Sequence, residues 1–449
     1  MSTQAAMSAP ALPKPSPVRG ARLHLWVLAI VLASEAVGNI SFSVGFARLV
    51  LFPMLYALLV GALVSIASPR MPSAIRIDEP LQRLASAMVQ VSVLLLVAKL
   101  SLLVGASIPK LLHSGWALAF QELGHFFGTV LFALPIAILL GVKREAVGAT
   151  FSIGREQSLA IIAEKYGLNS PEGRGVLAEY VTGTVVGAVF IAFLASVVKG
   201  LGIFHPVALA MGAGVGSASM MAAAAGAIAS GQPADVAKDV ATFAAASNLI
   251  TTTVGTYFTL FVSLPFANVV YRWLEPVLAP KRTRGALSVE QTSGVPMEQP
   301  APVQLSWKIK LTALCVAGLV TIFCGNWINS HVAPQKALVG IILVGVVAII
   351  GDFLACNIPF KVPAVCWVSA VGMLATAPIG PWAAPVAAIT SSINFMPLTT
   401  PILAYAGLSL AKDIPAFKRL GWRIVVTSLL ANTGTFIAAA TLAHFLMHV

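Results

Sequence analysis

Apolar runs separated by short polar stretches follow one another along almost the whole chain. Because a membrane-spanning helix needs about 20 apolar residues, about 13 of these runs are candidates for spans. They cover residues 23–44, 47–67, 86–106, 116–141, 147–168, 175–199, His205 to Ile228, 236–265, 306–327, 336–355, 360–378, 385–408 and 420–446. The pattern therefore predicts an all-α membrane protein with about 13 spans.

The run from His205 to Ile228 is apolar, but it is too rich in glycine for an ordinary helix. Gly costs about 1 kcal/mol per helical position relative to Ala. Three glycines at alternate positions are followed by two serines: Gly212, Gly214, Gly216, Ser217 and Ser219. We predict a helix that breaks here and restarts, which lipid tolerates only where protein or water covers the unwound backbone. The alternative is a small-residue face for close helix packing.

A second interrupted run lies at residues 385–408. It is interrupted by Asn394, Pro397 and Pro401, and Thr399 and Thr400 lie between the two prolines. Proline inside a helix removes a hydrogen bond and clashes with the preceding turn, so we expect free backbone groups around the two threonines. Half-helix N-termini attract anions, whereas freed carbonyls and hydroxyls bind cations. The run therefore predicts a binding site, with a proline-kinked structural helix as the alternative.

The two interrupted runs coincide when the chain is shifted by 179 positions. This shift places Pro206-Val207-Ala208 on Pro385-Val386-Ala387 and Gly255-Thr256-Tyr257 on Gly434-Thr435-Phe436. It moves the chain by five spans, and an odd number of spans inverts the second copy. Inverted repeats that meet at the bilayer midplane are a common transporter design. A rival shift of 240 places residues 150–168 on 390–408 and also inverts the copy.

Composition and charge agree with a membrane protein. The chain is 58% hydrophobic and only 10% charged, whereas soluble domains carry about 25% charged residues. The net charge of +12 does not require a nucleic-acid partner, because the basic residues cluster in short loops, as the positive-inside rule expects. With a cytoplasmic N-terminus, all basic clusters fall on the inner side: the N-terminal tail and residues 70–83, 143–145, 272–284 and 412–423.

Polar side chains beside the two interrupted runs are the candidate site. For an anionic substrate we expect contacts from Ser217, Ser219, Asn394, Thr399, Thr400 and Arg155. For the coupling ion we expect Thr251, Thr252, Asn432, Thr433 and Glu156, because oxygen ligands suit a hard cation. The alternatives are hydroxyls that bond back to helical carbonyls and a structural ion pair between Arg155 and Glu156.

Other ionisable residues stand inside apolar runs, where each charge costs roughly 3 kcal/mol. Glu122 and His125 are three positions apart and share a helix face. We favour a packing role for this pair and keep a proton role open, because histidine titrates near neutral pH. Lys99 and Glu35 lie outside the repeat, and we expect them to face a scaffold domain or an interface.

Enzyme motifs are absent from the chain, which contains no GxxxxGK[ST], no HExxH and no GxSxG. We therefore expect no enzyme, no metal site and no cofactor apart from Na⁺ as a possible coupling ion. Two alternatives to a carrier stay open. A passive channel would need a continuous polar path, and an intramembrane enzyme would use Glu156 or His125 as acid and base.

Four segments carry a family resemblance: ATFSIGREQSLAIIAEKYG (149–167), GAGVGSASMMAA (212–223), INFMPLTTPILAYAGLSLAKDIPAFKRLGWR (393–423) and ANTGTF (431–436). In them the chain resembles bacterial multi-pass proteins described as a domain of unknown function, over most of residues 80–446. The layout is similar to that of glutamate–sodium symporters, keto-deoxygluconate permeases and bile-acid symporters. These families imply crossed broken helices in a mobile transport domain, a scaffold domain, elevator motion and often a homodimer. No substrate motif transfers.

Together these observations predict a secondary active transporter of the bacterial inner membrane. Its substrate would be a small organic anion, transported together with Na⁺ or H⁺ and bound between two broken helices. The protein would be surrounded by lipid and would have no nucleic-acid partner. The expected organisation is a disordered tail (1–22), three N-terminal spans (23–110), a first inverted repeat (116–265), a linker (272–304) and a second inverted repeat (306–446).

Overall fold

The computed structural model describes residues 17–447, apart from 45–46, 52, 114, 155–157, 160, 163–164, 168–169, 280–306, 330–331, 359–363 and 416–420. Within this part the fold is a bundle of helices with one β-hairpin. The first elements are α1 (Pro17–Val37), β1 (Ile40–Val44), β2 (Ala47–Leu51), α2 (Pro53–Ala67), α3 (Glu79–Ala106), α4 (Ile108–His113), α5 (Gly115–Leu139), α6 (Glu145–Thr150) and α7 (Pro171–Gly200).

Helices of different lengths follow in the rest of the described chain. They are α8 (Pro206–Gly214), α9 (Ala218–Ala229), α10 (Ala234–Phe258), α11 (Leu264–Leu278), α12 (Trp307–Val320), α13 (Pro334–Asn357), α14 (Ala364–Thr376), α15 (Ala383–Thr390), α16 (Phe395–Ser409) and α17 (Trp422–Leu446). Wider π-helical turns occur at Gly183–Gly187, Thr259–Ser263 and Thr321–Asn329. Such turns often mark functional positions.

Eight helices within the described residues are long and apolar enough to cross a membrane. Their outer surfaces carry large apolar side chains that stay exposed among the described residues. Leu63 on α2 is 65% exposed, Phe193 on α7 is 54% exposed and Phe353 on α13 is 58% exposed. Extended apolar surface of this kind suits lipid rather than water, so the chain is a multi-pass membrane protein.

A hairpin separates the first two predicted spans and makes both shorter than expected. Helix α1 ends before Gly38, whose φ of +68° favours glycine. Strand β1 then pairs antiparallel with β2. The physical reason is local: ISFSV at residues 40–44 alternates apolar and polar side chains, which is the period of a strand. Within the described residues, the regular secondary structure is therefore helical apart from this hairpin.

Two predicted domain boundaries also differ from the structure. Helix α1 begins at Pro17, inside the predicted tail of residues 1–22, and residues 1–16 lie outside the described part. Helix α11 continues to Leu278, so the predicted linker of residues 272–304 begins as helix.

The predicted span at residues 147–168 is not one continuous helix. Helix α6 ends at Thr150, and a non-helical stretch follows. The Ser152 side chain accepts a hydrogen bond from the N–H of Gly154 at 3.1 Å, which offers the backbone an alternative to the helical pattern. Ser263 donates to the carbonyl of Phe151, so this loop is anchored inside the bundle.

Small residues allow α5 and α17 to pack along each other at close range. A Cβ atom on Gly128 would lie 2.6 Å from the carbonyl oxygen of Gly434, and one on Gly124 would lie 2.6 Å from that of Ala438. Backbones approach this closely in membranes when glycine lies at the crossing.

We expect Gly128→Ala to lower the free energy of unfolding by about 1–3 kcal/mol, the usual cost of overpacking. Thermal unfolding of the purified protein in detergent would measure the change. Gly345→Ala on α13 is the matched control, because nothing lies within 4 Å of a Cβ atom there. Equal stability of the two variants would show that the α5–α17 contact tolerates expansion.

Candidate functional site

The first interrupted run forms two short helices, α8 and α9, separated by residues 215–217. Asn248 of α10 holds the end of α8: its Nδ2 donates to the carbonyl oxygens of Gly214 at 2.8 Å and Gly216 at 2.7 Å. Carbonyls at a helix C-terminus otherwise lack partners. Ser217 caps α9 by accepting from the N–H of Met220 at 3.4 Å. The helix stops and restarts where the sequence predicts.

The glycines of this run also serve close packing, which was the alternative interpretation. A Cβ atom on Gly212 would lie 2.7 Å from the carbonyl oxygen of Phe436 on α17. One on Gly214 would lie 2.6 Å from the carbonyl oxygen of Ala244 on α10. The two interpretations are therefore compatible, because the same residues end the helix and let its neighbours approach.

The second interrupted run forms α15 and α16, separated by residues 391–394. Asn326, in the π-helical turn after α12, holds this break from both sides. Its Nδ2 donates to the carbonyl of Ser392 at 3.1 Å, and its Oδ1 accepts from the N–H of Asn394 at 3.3 Å. Asn326 is fully buried. Each interruption is thus held by the side-chain amide of one buried asparagine on a neighbouring segment.

The break lies before the prolines rather than around them, which corrects one expectation. Pro397 lies in the first turn of α16 and Pro401 lies inside the same helix. A proline in a first turn removes an N–H that has no intrahelical partner anyway. Thr399 and Thr400 therefore sit in continuous helix, not in an unwound segment.

Lys99, in the middle of α3, reaches the end of α15. Lys99 is 2% exposed, and its Nζ donates to the carbonyl of Thr390 at 2.7 Å. Thr390 is the last residue of α15, where the helix dipole is negative. No carboxylate in the described part of the chain forms an ion pair with Lys99. Among the described residues, this buried positive charge is offset by the carbonyl of Thr390 and not by a carboxylate.

The restarted halves of the two broken helices, α9 and α16, pack against each other. Met54 of α2 lies at this contact: it faces Gly226 of α9, and its sulfur accepts from Thr399 Oγ1 at 3.1 Å. Thr400 Oγ1 donates to Glu35 of α1 at 2.7 Å, and Glu35 is buried. The two predicted substrate threonines therefore contact α1 and α2.

Glu122 and His125 form a buried polar cluster with α10. Glu122 Oε1 accepts from Thr251 Oγ1 and from Gln121 Nε2, the latter at 3.3 Å. Glu122 Oε2 lies 3.2 Å from His125 Nδ1. Glu122 is 6% exposed and His125 is 1% exposed. Thr251, a predicted ion-coupling residue, is thus hydrogen-bonded to Glu122, although we predicted a packing role for Glu122 and His125.

Other predicted site residues bond back to their own helices. Thr252 donates to the carbonyl of Asn248 at 2.8 Å, Asn432 to that of Ser428 at 2.8 Å and Thr433 to that of Leu429 at 2.9 Å. This was the alternative role for such residues. Ser219 Oγ lies 3.3 Å from Ser217 Oγ, beside the first break. Arg155 and Glu156 lie outside the described residues.

A cavity of about 20 Å³ lies beside Asn248, between α3, α9, α10 and α14. Its polar lining comes from Ser101, Asn248 and Ser369. A space of this size holds about one water molecule. An organic anion would need the surrounding helices to move apart. Among the described residues, no group of three or more His, Cys, Asp or Glu side chains is placed to hold a metal.

Sequence reasoning missed Asn326 and Lys99 as members of the site. Each is a polar residue within an apolar run, which is a signal of function in membrane helices. The sequence does not show their partners, because Asn326 contacts Ser392 across 66 positions and Lys99 contacts Thr390 across 291. Asp352, on α13, forms an ion pair with Lys310 at 2.7 Å.

Comparison with known proteins places the chain in a family. No curated protein and no solved structure matches it. A family described as "Protein of unknown function (DUF3100)" matches residues 32–273, which include both halves of the first broken helix. Since the match covers more than half of the 449 residues, the chain belongs to the DUF3100 family.

Proposed function

We propose that this protein is a secondary active transporter that moves a small organic anion across the membrane, coupled to Na⁺ or H⁺. The observation that carries the proposal is the pair of interrupted helices, each held by a buried asparagine amide. Discontinuous membrane helices form the substrate and ion sites of secondary transporters. The physical reason is that unwound backbone at membrane depth needs protein, water or a ligand to satisfy it.

Positive charge near the breaks supports an anionic substrate. The N-termini of α9 and α16 carry the partial positive charge of their dipoles. Lys99 adds a full positive charge beside the second break, and no described carboxylate pairs with it. A carboxylate substrate would supply the missing negative charge.

An elevator mechanism fits the placement of the two breaks. Ser217 and Asn394, the N-cap residues of the restarted halves, lie 177 positions apart, close to the shift of 179 between the predicted repeats. We propose inverted repeats whose broken helices move together against a scaffold that includes the N-terminal spans. The proposed assembly is a homodimer in the bacterial inner membrane, with the N-terminus in the cytoplasm.

Reconstituted protein is expected to accumulate labelled carboxylates only when an ion gradient is imposed. Proteoliposomes would be tested with lactate, succinate and citrate under separate Na⁺ and pH gradients, with protein-free vesicles as the control. A bound substrate at 100 times its Kd should also stabilise the purified protein by about 2.7 kcal/mol in thermal unfolding.

Three results would count against a carrier. Absence of gradient-dependent flux across the carboxylate panel would remove the proposed activity. Rapid flux without any gradient would indicate a channel, and recovery of a chemically altered substrate would indicate an enzyme.

A further inference from the structure

Both half-helix C-termini, where transporters commonly bind Na⁺, already carry protein donors. Coupling cations bind the carbonyl oxygens of unwound backbone and of half-helix ends. At the end of α8, Asn248 Nδ2 occupies the carbonyls of Gly214 and Gly216, and Ser247 Oγ donates to that of Met211 at 2.7 Å.

The end of α15 is occupied in the same way. Lys99 Nζ takes the carbonyl of Thr390, and Asn326 Nδ2 takes that of Ser392. The remaining carbonyls of the last turn accept from serine groups, namely Ala387 from the N–H of Ser391, Ala388 from Ser391 Oγ and Ile389 from Ser392 Oγ. An ammonium and two amides thus stand where a Na⁺ ion would need oxygen ligands.

The Glu122–His125 pair offers a site for a different cation. His125 Nε2 and Gln121 Oε1 are buried and have no hydrogen-bond partner among the described residues. Glu122 contacts neutral hydroxyl and amide groups and the His125 ring. A carboxylate beside a neutral imidazole would leave one negative charge in the bundle, at a cost of roughly 3 kcal/mol. One added proton, shared between Glu122 and His125, neutralises the site.

Thr251 connects this pair to the first break. Its hydroxyl has one proton and two acceptors in reach, Glu122 Oε1 and the carbonyl of Ser247 at 3.1 Å. Ser247 in turn donates to Met211 of α8, and Asn248 is its neighbour. When Glu122 is ionised, the Thr251 hydroxyl donates to it. When Glu122 is protonated, the same hydroxyl is free to donate to the backbone of Ser247.

We propose that the coupling ion is a proton carried by Glu122 and His125, an inference that rests on the proposed transport function. In each cycle the pair binds one proton from one side of the membrane and releases it to the other. The bond between the pair and this proton forms and then breaks, and no other covalent bond changes. Thr251 transmits the protonation state of Glu122 to the backbone that borders the broken helix.

Among the described side chains, the other titratable groups on elements packed against α5 have partners of their own or lie away from the pair. On α10, the nearest acidic or basic residue is Asp239, 12 positions before Thr251, or about 18 Å along the helix. Lys238 and Asp235 lie further still, and α8 carries no titratable side chain. The remaining groups have other partners or lie at helix ends: His444 accepts from the N–H of His205, Arg423 lies beside Trp422, Tyr271 donates to Glu275, Arg144 lies over Tyr271, Arg272 is on α11 and Glu145 pairs with Arg174.

The test uses the full chain in proteoliposomes with a pH-sensitive dye inside and the membrane potential held at zero. For a monocarboxylate such as lactate, a gradient of one pH unit should drive about tenfold accumulation, because one proton then carries about 1.4 kcal/mol. Replacing Na⁺ by K⁺ should not change it. Glu122→Gln should lose this accumulation, and Thr251→Val should weaken it. Glu79→Gln, at an exposed ion pair with Arg83, is the matched control and should behave as wild type.

A second measurement does not depend on transport. Infrared difference spectra of the reconstituted protein between high and low pH should contain a carboxyl band that is missing in Glu122→Gln and shifted in His125→Gln. Uptake that requires Na⁺ and ignores the pH gradient, or full pH-driven uptake by Glu122→Gln, would overturn the proton site. Loss of coupling in Glu35→Gln alone would assign the proton to Glu35 instead. If no carboxylate moves under any gradient or in exchange, the transport proposal fails, and the infrared band still decides whether Glu122 binds a proton.

Discussion

Alanine at Asn248 or Asn326 is expected to reduce gradient-driven carboxylate uptake by about tenfold to a hundredfold. Each side chain makes two hydrogen bonds that hold a helix interruption. Leaving one buried acceptor without its donor costs about 1–3 kcal/mol. This cost lowers the population of molecules with the native geometry of the break by about one or two powers of ten. Uptake per correctly inserted molecule, with insertion followed by size-exclusion chromatography, would measure the effect.

Asn357→Ala provides the matched control for this pair of variants. Asn357 also donates its amide to a carbonyl, that of Phe353 at 2.8 Å, but it lies exposed at the end of α13. We expect wild-type uptake from this variant. If Asn248→Ala and Asn326→Ala also transported normally, the two breaks would not be the substrate site.

Lys99→Met is expected to abolish anion uptake without lowering stability. The ammonium gains about 0.3–1 kcal/mol from the dipole at the end of α15. Its charge inside the membrane costs roughly 3 kcal/mol. Loss of the donor to the buried Thr390 carbonyl costs about 1–3 kcal/mol, so the two changes in free energy roughly cancel. Thermal unfolding should therefore show stability close to that of wild type, while transport assays show loss. A residue kept only to cap α15 would not give this combination.

Lys310→Met makes the same substitution at a lysine whose charge is paired. Lys310 forms an ion pair with Asp352, which is 6% exposed. Removing one partner leaves a buried charge uncompensated, so we expect a loss of up to about 3 kcal/mol in stability. Should Lys99→Met lose stability in the same way and still transport normally, Lys99 would be structural.

Properties that depend on a single stretch of chain were predictable from the sequence. The membrane class, the approximate positions of most helices and both interruptions follow from apolar length, glycine content and helix-breaking residues, which act locally. The error at Ile40–Val44 is instructive. The search for apolar runs of span length overlooked the five-residue alternation of apolar and polar residues that forms a strand.

Only the tertiary structure decided which distant polar residues contact each other at and near the interruptions. Asn326 reaches Ser392 across 66 positions, Glu122 meets Thr251 across 129 and Lys99 meets Thr390 across 291. Apolar periodicity shows which face of a helix is buried, but not which neighbour covers it. A buried polar group must find its partner through packing across the whole bundle, and for this reason the residues that hold the two breaks became visible only in the folded chain.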